Sequence, residues 1–404
     1  MSIRPSLPLA SRLQEIKPSA TVAVSQRAQE LKAQGVDVLS FSVGEPDFGT
    51  PAHIQEAAVQ AMRKGATRYT AVRGIPELRQ AICDDSARRR GGVQHVPNEV
   101  VVSVGAKHSL FNLSFALFEA GDEIIVPAPY WVSYPEQATL AGAKAVIVET
   151  SEAEGFRLQP EALRRVITPK TKALVLCSPS NPTGAAYDAD ALRALAEVAA
   201  EHSFWIIVDE IYAHLSYGGF RHVSMLEVAP ELKHRIIVVD GVSKAYAMTG
   251  WRIGWMLAPK EVAAACDTIQ GQSTTNPTSI AQYAALAALQ GPQDCVEEMR
   301  RAFEGRRKVA VEGINRIPGM SARMPEGAFY VFASVRGLVG RKFGERTLAN
   351  DLEIAQFFLE EARCALVPGS AFGAPGYVRL SYATANAQIE EGLRRMQEAV
   401  AKLS

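Results

Sequence analysis

Short apolar runs alternate with stretches of helical period along most of the chain. The runs are Val100–Val104, Glu123–Val126, Ala145–Val148, Ala173–Cys177, Trp205–Asp209, Ile236–Asp240 and Ile253–Leu257. Most are β-branched and apolar on both alternating positions, the pattern of a parallel strand buried on both faces. Between them lie helical stretches such as Asp190–Glu201, where Leu192, Leu195 and Val198 share one stripe. Strand–helix alternation of this kind predicts an α/β fold with a mostly parallel seven-stranded sheet covered by helices.

After about residue 300 the texture changes. A charged helical stretch, Glu297–Arg316, leads to three strand-like segments, Phe329–Phe332, Ala365–Val367 and Tyr377–Tyr382. An amphipathic helix over Ala387–Leu403 closes the chain. This predicts a smaller α+β domain over 301–404, completed by an N-terminal arm over 1–44, around a large domain over 45–300. No internal repeat or low-complexity tract interrupts the pattern.

Composition narrows the class. The 404 residues are 48% hydrophobic and 21% charged, as in a soluble globular enzyme. Lys plus Arg equals Asp plus Glu at 43 each, so no global charge favours nucleic acid or membrane. The five cysteines (Cys83, Cys177, Cys266, Cys295 and Cys364) contain no C-x-x-C pair, and the histidines no H-x-x-x-H spacing. Neither a disulfide framework nor a metal site is expected, and a reducing compartment is. The N-terminal segment carries Arg4 and Arg12 but no apolar stretch of signal-peptide length, and no segment reaches the ~18 apolar residues of a membrane span. A cytoplasmic protein is expected.

The candidate chemistry lies where strands end. Lys244 follows the run Ile236–Asp240, where desolvation would lower its pKa and free an amine able to form an imine with an aldehyde. A lysine capping a strand-to-helix turn is the plainer alternative. Arg252, eight residues on, is a forked cation suited to phosphate. Together they point to pyridoxal phosphate. Ser103-Val104-Gly105-Ala106-Lys107 joins a strand to a helix, and free helix amides beyond a glycine turn can cradle a phosphate. No G-x-G-x-x-G or G-x-x-x-x-G-K-[ST] is present, so dinucleotide and nucleoside-triphosphate sites lack their fingerprints.

Four further segments fit the same chemistry, each with an ordinary alternative. Trp131 follows Pro127-Ala128-Pro129-Tyr130 and could stack on a ring or plug the core. Asn181, between Pro179 and Pro182, is a fixed donor for a phenolate oxygen or part of a plain turn. Asp209, ending a buried strand in Asp209-Glu210-Ile211-Tyr212, could face a protonated pyridine nitrogen or cap a helix. Arg379, inside the apolar segment Tyr377–Tyr382, calls for a carboxylate from the protein or from a substrate.

From Gly44-Glu45-Pro46-Asp47-Phe48 to Arg379 the order and spacing of these pieces resemble the class I aminotransferases of PLP fold-type I. The resemblance is greatest to the bacterial aspartate aminotransferase subgroup with G-[GA]-K in the phosphate turn. Its most specific parts are S-P-x-N-P-T-G at 178–184, D-E-I-Y at 209–212 and S-K-A-x-A-M-T-G-W-R-I-G at 243–254. The resemblance implies that Lys244 holds pyridoxal phosphate and moves the substrate Cα proton. It implies that Asp209 pairs with the ring nitrogen, that Asn181 and Tyr212 bond the ring oxygen, and that Trp131 stacks on the ring. Gly105, Ala106, Lys107, Ser243 and Arg252 would surround the phosphate. Tyr69 would reach the neighbouring subunit's cofactor in a homodimer with shared active sites. Arg379 would grip the substrate α-carboxylate, with Gly44, Trp131 and Asn181 lining the same pocket.

Two departures qualify the resemblance. Gly241 stands where better-known aspartate enzymes carry a phosphate-binding serine, and no counterpart is evident of the arginine those enzymes place across the dimer. The resemblance to this subgroup implies that Lys107 with Ser19 and Thr21 would serve the side-chain carboxylate instead. The implied reaction is L-aspartate with 2-oxoglutarate giving oxaloacetate and L-glutamate by a ping-pong route. Prephenate or aromatic amino-acid transamination is the near alternative, and a carbon–sulfur β-lyase on the same cofactor site is the more distant one. A PLP-binding transcription regulator would need a helix-turn-helix pattern or a basic excess, and neither is present.

Overall fold

A computed structural model describes residues 9–404, so Arg4 and the start of the expected N-terminal arm lie outside the described residues. All seven runs enter one sheet. Its order is Val100–Ser103, Gly254–Leu257, Ile236–Gly241, Trp205–Asp209, Thr171–Cys177, Glu123–Ala128 and Lys144–Glu149. Gly254–Leu257 runs antiparallel to both its neighbours, and the other contacts are parallel.

The period of two sorts each strand between two cores. Leu174, Leu176, Ile206, Val208, Ile236 and Val238 pack on one face, with helices Pro76–Arg89 and Ala189–Ala200. Val175, Ile207, Ile237 and Val239 pack on the other, with helices Ala106–Leu117 and Ser133–Leu140. Burial on both faces fails most at Lys144–Glu149, one of the two edge strands, which leaves Lys144 and Glu149 exposed, whereas the other edge strand, Val100–Ser103, is fully buried.

The later segments form a separate hydrophobic core around the three-stranded antiparallel sheet Val367–Pro368, Tyr377–Ser381 and Tyr330–Ser334. The expected single strand Ala365–Val367 is split. Cys364–Ala365 pairs in parallel with Leu39–Ser40, while Val367–Pro368 pairs with Tyr377–Ser381. Adjacent residues there serve two different sheets, which a continuous apolar run cannot reveal. The charged helix spans Asp294–Ile314 and the closing helix Asn386–Val400, the latter burying Ile389, Leu393, Met396 and Val400.

Candidate active site

Three parallel strands end side by side at Cys177, Asp209 and Gly241, and the carboxyl edge they form is where α/β sheets bind ligands. Above it lies a cavity of about 260 Å3. Its lining includes Thr21, Gly44, Ala106, Lys107, Trp131, Asn181, Asp209, Tyr212, Ser243, Lys244, Arg252 and Arg379. Twelve candidate positions from widely separated stretches thus meet in one place. Tyr134, Cys177, Ile211 and Tyr330 line it too and were not singled out from the sequence.

Lys244 enters from the loop after Ile236–Gly241, and its Nζ donates to the Gly44 carbonyl at 2.7 Å. Burial pulls the amine down to about 8, with Glu45 and Asp209 opposing and Arg252 and Arg379 assisting. A substantial fraction of the amine is therefore neutral and nucleophilic near pH 8.

Asp209 has both carboxylate oxygens occupied by neutral donors. Tyr134 Oη donates to Oδ2 at 2.8 Å and the Ile211 amide to Oδ1 at 3.1 Å. The sequence alternatives for Asp209 are thus partly combined, since it caps a turn and still faces the cavity. Burial raises its carboxyl to about 6 despite these bonds, because no cation pairs with it among the described residues. The next residue makes the contrast. Glu210, equally buried, bonds Arg90 Nε at 2.7 Å, and that guanidinium holds it well below the usual carboxylate range.

Arg379 has the reverse deficiency. It is 1% exposed, yet among the described residues it has no carboxylate partner. Nη1 donates to Asn181 Oδ1 at 2.8 Å and Nη2 to the Ser42 carbonyl at 2.6 Å, while Nε is unpartnered. Its guanidinium lies 4.6 Å from the centre of the Tyr330 ring and 5.1 Å from that of Phe372. Among the described residues no internal salt bridge satisfies it, and a fork remains for an external carboxylate. By accepting from Arg379, Asn181 leaves its amide nitrogen for the cavity. Tyr212 Oη meets Tyr330 Oη at 2.8 Å, and burial raises both phenols.

The glycine turn is a matter of close approach. Gly105 has φ +83°, and a Cβ there would overlap the Arg252 guanidinium. Arg252 itself adopts the left-handed region, which starts its strand at Gly254 rather than the expected Ile253. Its Nη1 bonds the Thr249 carbonyl at 2.8 Å and its Nη2 the Val104 carbonyl at 3.3 Å. A Cβ on Gly254 would overlap the Ala106 amide, so these glycines let the N-terminus of helix Ala106–Leu117 come close against the sheet, beside the cavity that Ala106 lines. Gly241, where better-known aspartate enzymes carry serine, packs on the Gly254 backbone, and a Cβ there would stand only 2.9 Å from that Cα.

The remaining candidates fall at the rim or beyond it. Lys107 Nζ stands 4.8 Å over the Trp131 ring, and burial lowers its amine, helped by Arg252. Lys107 and Arg252 also border an adjoining cavity of about 600 Å3, which Ser19 lines with the apolar Phe111, Val132 and Leu140. Tyr69 lies outside both cavities and is 88% exposed. Tyr134 could have been found from its place one helical turn after Trp131. Tyr330 gave no such signal, because it comes from the separate core of the late segments.

Chemically, the cavity offers a neutralisable lysine, an unpaired carboxylate, an unpaired arginine and a helix N-terminus beside Arg252. Among the described residues no cluster of His, Cys, Asp and Glu could hold a metal ion, and no helix is long and apolar enough to cross a membrane.

Residues 36–396 match the family model described as aminotransferase class I and II. The aspartate aminotransferase of Geobacillus stearothermophilus is 49% identical over 388 residues, covering 96% of this chain and 98% of that one. An aspartate/prephenate aminotransferase of Cereibacter sphaeroides is 46% identical, covering 98% and 99%. Among solved structures, the aspartate aminotransferase of Rhizobium meliloti superposes with a TM-score of 0.96 at 42% identity, covering 99% of this chain and all of that one. That of Thermus thermophilus, solved with maleate, gives 0.91 at 46% identity over 98% of this chain and 100% of that one.

Proposed function

Because the chain belongs to the aminotransferase class I and II family, with the PLP fold-type I architecture of its solved relatives, we propose that it is a pyridoxal-phosphate aminotransferase acting on L-aspartate and 2-oxoglutarate. One observation carries the reading. A single cavity holds a buried lysine with a depressed pKa, a buried carboxylate lacking a cation and a buried arginine lacking an anion.

These needs fit the cofactor. Asp209 would receive its ring nitrogen as the missing cation, and the Asn181 amide and Tyr212 hydroxyl would hold its ring oxygen. Ala106, Ser243 and Arg252, the last packed close on Gly105, would take the phosphate, and Trp131 would cover the ring. Bound through its aldehyde to Lys244, pyridoxal phosphate would supply an electron sink for the pair released at the substrate α-carbon.

The protein's own part is binding, orientation and proton transfer. Arg379 engages the α-carboxylate with its forked donors and fixes the amino acid relative to Lys244. The free amine of Lys244 would take the Cα proton and return it, a role suited to a base titrating at about 8. Asp209, as the anion, keeps the ring nitrogen protonated. Lys107, with Thr21 and Ser19 at the rim, meets the distal carboxylate. Donor and acceptor are both dicarboxylates, so one site serves both halves of a ping-pong cycle.

A second acceptor class is favoured by the adjoining 600 Å3 cavity, whose apolar wall beyond Lys107 suits the carboxylated ring of prephenate. We further infer a homodimer in which Tyr69 completes the neighbour's phosphate site, and a cytoplasmic location. The division into an arm over 1–44, a large domain over 45–300 and a small domain over 301–404 belongs to the same reading.

The test is the absorption spectrum of the cofactor-loaded protein on adding L-aspartate alone. The band of the lysine-bound cofactor should give way to that of the aminated cofactor, with oxaloacetate released. No change with aspartate, but change with another donor, would remove the dicarboxylate assignment. No change with any amino acid would remove the aminotransferase itself.

A further inference from the structure

Behind the site lies a buried charge cluster that the chemistry above does not use. Alternation along the strands places Asp209 on the cavity face, and Glu210 and Asp240 on the reverse face with helix Pro76–Arg89. Arg90, just past that helix, is 1% exposed and spans the two strand ends. Its Nε donates to Glu210 Oε2 at 2.7 Å and its Nη2 to Asp240 Oδ2 at 2.6 Å. Arg89 Nη2 bonds the same Asp240 oxygen at 2.7 Å, and its Nε bonds Asp85 at 2.7 Å. Ser224 donates to Glu210 at 2.5 Å, and His222 lies 3.6 Å from it.

We propose that Arg90 is a positioning residue for the cofactor site, tying together the strand ends that carry Asp209 and Lys244 and neutralising the carboxylates buried behind Asp209. The inference rests on reading Asp209 as the partner of the cofactor ring. Geometry supplies the tie: Glu210 directly follows Asp209, and Asp240 lies four residues before Lys244. Charge supplies the rest. Tyr134, the Ile211 amide and Lys244 favour an ionised Asp209, while burial and Asp240 oppose it. Cys177, at the end of the neighbouring strand, is a thiol that burial keeps protonated. On the reverse face, Asp85 and His214 adjoin Arg89, and burial holds His214 neutral at about 4. Arg90 and Arg89 are thus the cations that limit what Asp240 does to Asp209.

A plain structural clamp and a charge-compensating one make different predictions. In the cofactor-free full-length chain, carbon-13 NMR of labelled aspartate carboxyls follows the titration of Asp209, assigned from its absence in Asp209→Asn. Asp240→Asn should lower the pH of half-titration, and Arg90→Met should raise it, each by about half a unit or more, a threefold change in proton affinity. Arg89→Gln keeps the Arg90 clamp and should also raise it, so the upward arm survives if Arg90→Met does not fold. Affinity for pyridoxal phosphate should fall in Arg90→Met and Arg89→Gln more than in Asp240→Asn, whose amide oxygen can still accept from Arg90. Shifts in one common direction, or none, overturn the proposal. Opposite shifts that cofactor affinity does not follow would instead overturn the pairing of Asp209 with the ring.

Discussion

The residues of the site are set by what each one lacks. Lys244 is a base whose pKa burial depresses to about 8, so its contribution to stability is full above the unfolded value near 10.4 and is lost as pH falls through 8. The same neutral amine is the one that captures an aldehyde. Uptake of pyridoxal phosphate by the cofactor-free protein, followed by stopped-flow absorption, should therefore slow about tenfold per unit below pH 8 and level off above it. Asp209 behaves in the opposite sense. Its carboxyl is raised to about 6, so its contribution is full below pH 4 and is lost as pH rises through 6. Urea unfolding of the cofactor-free chain should show Asp209→Asn gaining roughly 2–3 kcal/mol on the parent between pH 4 and pH 7. A gap that does not change with pH would remove the account of Asp209 as an unpaired buried acid. Lys244, Asp209, Asn181 and Arg379 were legible in the sequence because each is a polar residue in an apolar or proline-fixed context. Tyr134 and Tyr330 were not, because a tyrosine in a core needs no explanation until its hydroxyl is seen bonded to Asp209 or Tyr212.

At the level of elements, the strands were readable because burial on both faces writes an unbroken apolar run. Reading failed where an element has only local meaning. Pairing changes at Leu366, the edge strand Lys144–Glu149 carries exposed polar residues at its ends, and the left-handed Arg252 delays its strand by one residue. Glycine positions were the least legible, since their reason is the atom that would otherwise collide. Gly254 is the sharpest case, because it lets helix Ala106–Leu117 approach the sheet. Gly254→Ala should push that helix outward and weaken affinity for pyridoxal phosphate by one to two orders of magnitude, of order 1–3 kcal/mol. Equilibrium dialysis measures it, with thermal melting of the cofactor-free chain as control. Unchanged affinity would mean that the helix amides do not hold the phosphate.

For the whole molecule, the relevant fact is that Tyr69 is a large side chain left exposed on a chain that otherwise buries its aromatics well. In the proposed dimer it is covered by a second copy. Sedimentation should show a dimer, and Tyr69→Phe should loosen the cofactor severalfold without changing that assembly. A monomer that is fully active at all dilutions would remove the shared site. The core on the cavity face of the seven-stranded sheet and the core around the late antiparallel sheet both border the cavity, the first through Trp131 and Tyr134 and the second through Tyr212 and Tyr330.

The cavity also brings together Lys107, Lys244, Arg252 and Arg379 around the single carboxylate Asp209. On a chain whose formal net charge is zero, that imbalance is local, and between low-dielectric walls its field reaches out along the opening. Encounter itself is then biased towards anions, before any specific contact forms. The second-order rate of capture for a dianion should fall steeply as ionic strength rises and the Debye length shrinks, while that for a neutral amino acid should hardly change. Inorganic phosphate or sulfate in the buffer would slow reconstitution by occupying the same well.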